Sequence, residues 1–379
     1  MRIAIVTATT TDRITGVAEY LINLIRNLQS IDTRNQYYIV TTRDNRYMFD
    51  IASANFIEVA LPIRQRPWLA MRLLYHAWQG VYFPVWCRFK RIDLVHLPNT
   101  LLVSPFIESV VTIHDVTELK TTKYSGLRTL IRKMMVLSAV RFSRRIIADS
   151  ASTASDLIAM GATNATTIHL GFDDAYAHYD YSEEQESGVL TKYGIERGKY
   201  VICIGTIMKH KNIPNLIRAF GRIPESHGDY KLLVVGAHDN AYQDVVAAIA
   251  ANDLADKVLL LNYVSFDEKR VLLKNASLSC LISSYEGFGI PVLEAQAAGV
   301  PVLISNVSSL PEVAGDGAVR VDPADIADIS DKMAACLTDD DLRQSLIARG
   351  RENIKRFSWR RCAAETLDVY ENARTRDGR

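Results

Sequence analysis

The feature that most constrains this chain is a sustained alternation of short β-rich runs with helical stretches. Such alternation argues for parallel sheets whose strands are joined by crossover helices, an α/β fold. The first series predicts strands at Ile3–Thr7, Tyr37–Thr41, Leu94–Leu97, Ser109–Ile113 and Arg145–Ala148, with helices over Val17–Gln29 and Thr129–Phe142. From Asp173 to Gly198 the rhythm is lost in an acidic, Tyr-rich, Gly-punctuated stretch that reads as a linker. A second series then predicts strands at Tyr200–Ile204, Lys231–Val235, Val258–Leu261, Leu278–Ile282, Val302–Ile304 and Val319–Val321. Its helices fit Pro214–Arg222, Tyr242–Asn252, Phe266–Lys274, Pro291–Ala298 and Ile326–Leu337. At 379 residues the chain exceeds one ordinary core and fits two domains. The expected division is residues 1–172, a linker at 173–198, and a second domain at 199–356, with a helical run after Trp359. Two consecutive open α/β sheets make two ligand-binding edges that can face each other across a cleft.

Charge separates the two halves. Residues 1–150 hold 20 Lys and Arg against 11 Asp and Glu, a net of +9, whereas the rest holds 24 against 32, a net of −8. Two stretches of the basic half lack any acid. Residues 59–92 carry six basic residues among Trp68, Tyr75, Trp78, Tyr82, Phe83 and Trp86, and residues 119–148 carry eight more. A pair of solvated helix faces is the plain reading. Basic side chains interleaved with aromatics also suit an anionic lipid surface, and this is the expected partner of the first domain. Nucleic acid is not expected, because no recognised binding module is present. No run reaches the 18 or so apolar residues of a membrane span, and Met1–Val6 is too short for a signal peptide. The five cysteines (87, 203, 280, 336 and 362) show no C-x-x-C spacing and read as reduced thiols of a cytoplasmic protein.

Several chemistries lose support. No G-x-G-x-x-G follows the first strand and no G-x-x-x-x-G-K-[ST] occurs, against dinucleotide oxidoreductases and P-loop NTPases. The only D-x-D is Asp339-Asp340-Asp341, placed just ahead of a helical stretch where acids cap N-termini, so no metal site is expected there.

The most specific segment is Ser284-Tyr285-Glu286-Gly287-Phe288-Gly289-Ile290-Pro291-Val292-Leu293-Glu294-Ala295. A strand ends before it, and Pro291 suits the first turn of a helix. The backbone N–H groups of Phe288, Gly289 and Ile290 then lie at the positive end of a helix dipole, a seat for a diphosphate or for sugar hydroxyls. Glu286 on the loop and Glu294 inside the helix can reach different parts of one extended ligand. Two unrelated surface glutamates are the competing reading, disfavoured by the glycines and proline between them.

This segment resembles the E-x7-E motif of the large retaining GT-B glycosyltransferase family 4, and the resemblance extends over nearly the whole chain. Gly205-Thr206-Ile207-Met208-Lys209-His210-Lys211-Asn212 is similar to the family's glycine-to-lysine loop, and Ile113-His114-Asp115 to its His-Asp at an N-domain strand end. Ser308-Ser309-Leu310-Pro311-Glu312-Val313-Ala314-Gly315, followed by Asp322-Pro323, is similar to its next loop. The resemblance implies a nucleotide-sugar donor, with no metal and no other cofactor. Lys211 would pair with the donor diphosphate, Glu294 would accept from the ribose and Glu286 from the transferred sugar, and His114 would lie by the anomeric centre. Gly205, Thr206, Phe288, Gly289 and Ile290 would line the donor, Gly16 in the loop after the first strand would let backbone approach it, and Tyr263-Val264 would sit near the base. Two departures touch the phosphate geometry: Thr15 precedes Gly16 where two glycines are common, and Thr206 stands where many members have arginine. Lys209 or His210 could supply that charge. The helical run after Phe357-Ser358-Trp359, in the span 357–379, is expected to cross back onto the first domain.

Retention at the anomeric carbon is implied, by a front-face displacement in which the leaving phosphate takes the acceptor proton. The expected activity is transfer of mannose from GDP-mannose to a lipid-linked glycan in surface polysaccharide synthesis, at the inner face of the membrane. UDP-glucose, UDP-N-acetylglucosamine and dTDP-rhamnose stay open as donors. The alternatives are a soluble transferase acting on a small sugar or metabolite, and a catalytically silent nucleotide-binding scaffold.

Overall fold

A computed structural model describes residues 1–8, 10, 15–61, 82–99, 102–120, 127–178 and 180–374. The chain divides into two compact units, Met1–Gly171 with Phe357–Arg379, and Phe172–Arg356.

Unit 1 is built on a seven-stranded sheet of β1 (Arg2–Val6), β2 (Gln36–Thr41), β3 (Phe56–Ala60), β4 (Leu94–Leu97), β5 (Ser109–Ile113), β6 (Arg145–Ala148) and β7 (Ala165–Thr167). Every pairing is parallel, in the order β3-β2-β1-β4-β5-β6-β7. Parallel strands are covered on both faces, which is why β1, β2, β4 and β5 read as near-continuous apolar runs. Between them lie α1 (Gly16–Ile31), α2 (Phe83–Lys90), α3 (Thr117–Lys120), α4 (Leu127–Phe142) and α5 (Ala151–Ala159). The Thr15 hydroxyl accepts from Ala18 N–H to start α1, and Ala18, Leu21, Leu24, Ile25 and Leu28 recur at helical spacing to form its buried face. The return helix (Trp359–Arg374) packs on α1, and its Tyr370 is wholly buried. A Cβ on Gly171 would stand 2.2 Å from the Trp359 backbone nitrogen, so only glycine lets the two segments approach.

Unit 2 holds a six-stranded parallel sheet of β8 (Tyr200–Ile204), β9 (Lys231–Val235), β10 (Val258–Leu261), β11 (Leu278–Leu281), β12 (Val302–Ser305) and β13 (Val319–Val321), ordered β10-β9-β8-β11-β12-β13. Its helices are α6 (Glu183–Lys192), α7 (Ile213–Phe220), α8 (Tyr242–Ala251), α9 (Phe266–Lys274), α10 (Ile290–Ala297), α11 (Leu310–Ala314), α12 (Ile326–Thr338) and α13 (Asp340–Asn353). Leu216, Ile217, Leu232, Val234, Leu278 and Met333 sit in its core.

The stretch 173–198 is no structureless linker. It contains a 3-10 turn at Asp174–Tyr176 and α6, whose Ser182 and Gln185 form a reciprocal capping box. It lies within unit 2, held to α9 by Arg270, which donates to Tyr181 Oη at 2.8 Å and to the His178 carbonyl at 2.8 Å. Asp339 behaves as the helix cap expected of it, its carboxylate accepting from Leu342 N–H at the start of α13. Among the described residues no helix is long and apolar enough to cross a membrane.

Candidate active site

In unit 2 the strand order reverses between β8 and β11, and open α/β sheets bind ligands at the carboxyl ends of the strands at such a reversal. The loops leaving these two strands are the glycine-to-lysine loop and the segment that opens the E-x7-E motif. Topology alone therefore brings together residues about 75 positions apart. Gly205 follows β8 at φ +153, a conformation L side chains rarely adopt, and the Lys211 stem runs 3.5 Å from where a Cβ would stand. Lys211 closes a 3-10 turn, Lys209–Lys211, and donates from Nζ to Glu286 Oε1 at 2.6 Å. Ser283 Oγ donates to the same oxygen at 2.5 Å. The Lys211 and Glu286 side chains are only 15% and 11% exposed, so each ion depends on the other to offset its lost hydration.

The loop after β11 is clamped from the loop after β12. Glu286 N–H donates to Ser308 Oγ at 3.2 Å, and Ser308 Oγ lies 2.6 Å from the Glu286 carbonyl. Ser309 Oγ reaches the carbonyls of Glu286 and Phe288 at 3.0 and 2.8 Å. Ser284 N–H donates to the His210 carbonyl at 2.7 Å, tying the two switch-point loops directly. Gly289 precedes α10 at φ +111, where a Cβ would also stand 2.7 Å from Leu310 Cδ2. Phe288 is buried and Ile290 half-buried, so the backbone of Phe288, Gly289 and Ile290 forms the positive end of α10.

Glu294 lies one turn inside α10 and is 3% exposed. Lys269 of α9 places Nζ 2.7 Å from both its oxygens, with the ammonium 5.3 Å from the Tyr176 ring centroid. The two glutamates of the motif are thus held separately, each on its own ammonium. Lys269 carries no signal in the sequence, since it is 25 residues away and sits mid-helix. Thr206 is half-buried beside Gly205, Lys209 is exposed, and its backbone N–H donates to Asn240 Oδ1 at 3.0 Å. Tyr263, 84% exposed, and the buried Val264 follow β10, an edge strand two places from β8.

In unit 1, His114 follows β5 and lines a cavity of about 180 Å³ together with Val17, Asp115, Glu118, Arg132 and Val136. Arg132 of α4 pairs with Glu118 at 2.7 Å. His114 Nδ1 meets Asp149 Oδ2 at 2.7 Å, and Nε2 meets the Pro98 carbonyl at 3.0 Å. Burial pulls the imidazole pKa down, but the charge and hydrogen bond of Asp149 outweigh it and hold it above the usual value. Asp149 was not singled out by sequence, although β5 pairs β6 with Ile113 opposite Ala148, so the next residues, His114 and Asp149, leave adjacent strands side by side. Gly16 is the first residue of α1 rather than part of the preceding loop, because Thr15 already caps the helix. Among the described residues no group of three or more His, Cys, Asp or Glu gathers as metal ligands. All five cysteines are unpaired and buried.

The family described as Glycosyltransferase Family 4 matches residues 14–176, and that described as Glycosyl transferases group 1 matches residues 190–353. The chain is 28% identical over 374 residues to O-antigen chain mannosyltransferase B of Escherichia coli, covering 94% of this chain and 96% of that one. In fold it is similar to a sucrose-phosphate synthase from Thermosynechococcus elongatus, with a TM-score of 0.78, 17% identity and 98% of both chains covered. It is also similar to Anabaena Alr3699/HepE in complex with UDP-glucose, with a TM-score of 0.75, 18% identity, and 98% and 100% covered. With both halves matched in order and the two parallel sheets of the GT-B fold in place, the chain belongs to the group 1, family 4 glycosyltransferases.

Proposed function

We propose that this glycosyltransferase moves mannose from GDP-mannose to a lipid-linked glycan acceptor, with retention and without a metal. The observation that carries the donor reading is the pair of carboxylates, Glu286 and Glu294, each seated on its own ammonium around the N-terminus of α10. A nucleoside diphosphate matches the chemistry of each part: oxygens for Lys211 and the helix end, ribose hydroxyls for Glu294, and sugar hydroxyls for Glu286. Lys211 then stabilises charge on the leaving diphosphate, the task a metal performs elsewhere. The anomeric C–O bond to phosphate breaks, the bond to the acceptor oxygen forms on the same face, and the acceptor proton passes to the leaving phosphate. Near full-length similarity to an O-antigen chain mannosyltransferase supports mannose over the other donors.

The exposed surface of unit 1 supports a lipid-linked acceptor and a peripheral place at the inner face of the membrane. α4 leaves Leu130, Ile131, Met134 and Leu137 exposed beside the exposed Lys133 and Arg141. α2 and the residue before it expose Tyr82, Val85 and Phe89, spaced as one helix face, beside Arg88 and Lys90. Apolar stripes flanked by cations fit an anionic lipid surface. Trp68, Tyr75 and Trp78 lie outside the described residues.

Thermal unfolding against GDP, UDP, dTDP and ADP tests the donor reading, with Glu294→Ala alongside. A ligand at about 100 times its Kd adds about 2.7 kcal/mol, a rise of a few degrees. GDP is expected to give the largest shift, diminished in the variant. A flat panel overturns the reading.

A further inference from the structure

His114 sits between two groups that can only accept. Asp149 contributes a carboxylate oxygen at 2.7 Å and Pro98 a main-chain carbonyl at 3.0 Å, one at each ring nitrogen. A neutral imidazole has one N–H, so one nitrogen would turn a lone pair towards an oxygen at hydrogen-bond distance. Flipping the ring would set carbons against both acceptors. The arrangement is satisfied only when both nitrogens carry protons.

Among the described residues the other cation lining this cavity is Arg132, which is held by Glu118 at 2.7 Å. Tyr20 of α1 packs edge-on, its ring centroid 4.9 Å from that of His114, and its hydroxyl is taken up by Thr112 Oγ1 at 3.1 Å. Behind it, His96 of β4 bonds Thr112 Oγ1 at 2.8 Å and the Tyr370 hydroxyl at 2.6 Å. Burial pushes His96 down to about 3, so it stays neutral, and raises the Tyr20, Tyr370 and Cys362 groups, which stay protonated. Asp115, in the same loop, and the paired Glu118 and Arg132 are the charged groups that share the cavity with His114 among the described residues. Asp149 is 2% exposed, and its second oxygen, Oδ1, is buried with no hydrogen-bond partner among the described residues, so the imidazolium is the cation set against its charge there.

We propose that Asp149 is a positioning residue of the transfer site: it fixes His114 as an imidazolium with both N–H groups committed, so that His114 presents a charge to the cavity it lines and does not serve as a base. The inference rests on the transferase reading for its functional part, and on geometry for the protonation state. The consequence is that the acceptor proton must leave by another route, and that raising the pH removes the cation.

Two readouts test it. In histidine-labelled protein, the His114 ring nitrogens are expected to keep the doubly protonated signature to pH values above 6.5, and to titrate lower in Asp149→Asn, where a neutral carbonyl replaces the carboxylate. In turnover of GDP-mannose or UDP-glucose, the variant is expected to lose kcat most steeply above pH 6.5, with nucleoside diphosphate affinity unchanged. Its alkaline limb should move to lower pH, and Asp149→Glu should recover part of the loss. A wild-type His114 that titrates at or below 6.5, or an alkaline limb identical in the variant, overturns the inference. If Asp149→Asn does not fold, the wild-type titration decides alone. If no nucleotide sugar is turned over by the wild type, the transferase reading falls while the ring signature still decides the pairing.

Discussion

Lys211 and Glu286 neutralise each other at 2.6 Å, largely out of water. Any diphosphate that takes Lys211 must compete with a carboxylate already in place. Removing the competitor while keeping its shape should therefore separate binding from chemistry. Glu286→Gln is expected to tighten binding of a free nucleoside diphosphate several-fold, up to about tenfold for 1.4 kcal/mol of relieved competition, while turnover falls by at least that factor. Calorimetric titration beside steady-state assays reads both. Weaker binding in the variant would mean that Glu286 itself holds the nucleotide. His114 and His96 illustrate the opposite pulls of environment on one residue type. The former is raised by Asp149, so its favourable charge is present in full below about 6.5 and is lost as pH climbs through its higher folded value. The latter is depressed, so its contribution is present above about 6.5 and lost as pH falls towards 3. As far as these two groups decide it, unit 1 is accordingly held best near pH 6.5.

α4 is the element whose two faces disagree most with a purely structural role. Val136, Ser138 and Ala139 are buried, yet Leu130, Ile131, Met134 and Leu137 stand in solvent. Replacing Leu130 and Met134 together with Asp should weaken binding to vesicles containing anionic lipid by at least about tenfold, leaving nucleotide affinity intact. Equal sedimentation of variant and wild type with such vesicles would remove α4 as the contact. Elements of this kind show what a sequence discloses and what it withholds. The buried strands β1, β4, β5, β8 and β9 were legible because continuous apolar runs bounded by turns have few other readings. β3 was not, since Ile57, Glu58 and Ala60 face outwards at the sheet edge, and neither was β7, only three residues long. α5, Ala-Ser-Thr-Ala-Ser-Asp-Leu-Ile-Ala, lacks the apolar periodicity that marks a helix, and its start depends on the Ser150 cap accepting from Thr153 N–H. In unit 2, Glu286 and Glu294 stood out by local pattern and Lys211 by its family-like loop, while in unit 1 His114 stood out chiefly by the family resemblance. Their partners Lys269 and Asp149 did not, because those pairings exist only once distant strands and helices are side by side.

At the scale of the molecule, unit 1 is assembled from two separated stretches of chain, with the return helix supplying Tyr370 to His96 and Glu371 to Arg34. Ending the chain before Phe357 should destabilise unit 1 selectively, exposing the α1 face that the helix covers. Nucleoside diphosphate binding by unit 2 should persist, measurable by calorimetry on the shortened protein. Loss of both together would show that the two units do not fold independently. The same discontinuity orders events during synthesis. After the strands of unit 1 have left the ribosome, the 185 residues Phe172–Arg356 must be made before the return helix begins. At roughly 5–20 residues per second that is a wait of about 9–37 s. The nascent first half spends it with the α1 face that the return helix covers still open to water, so this unit is the first to start and the last to close.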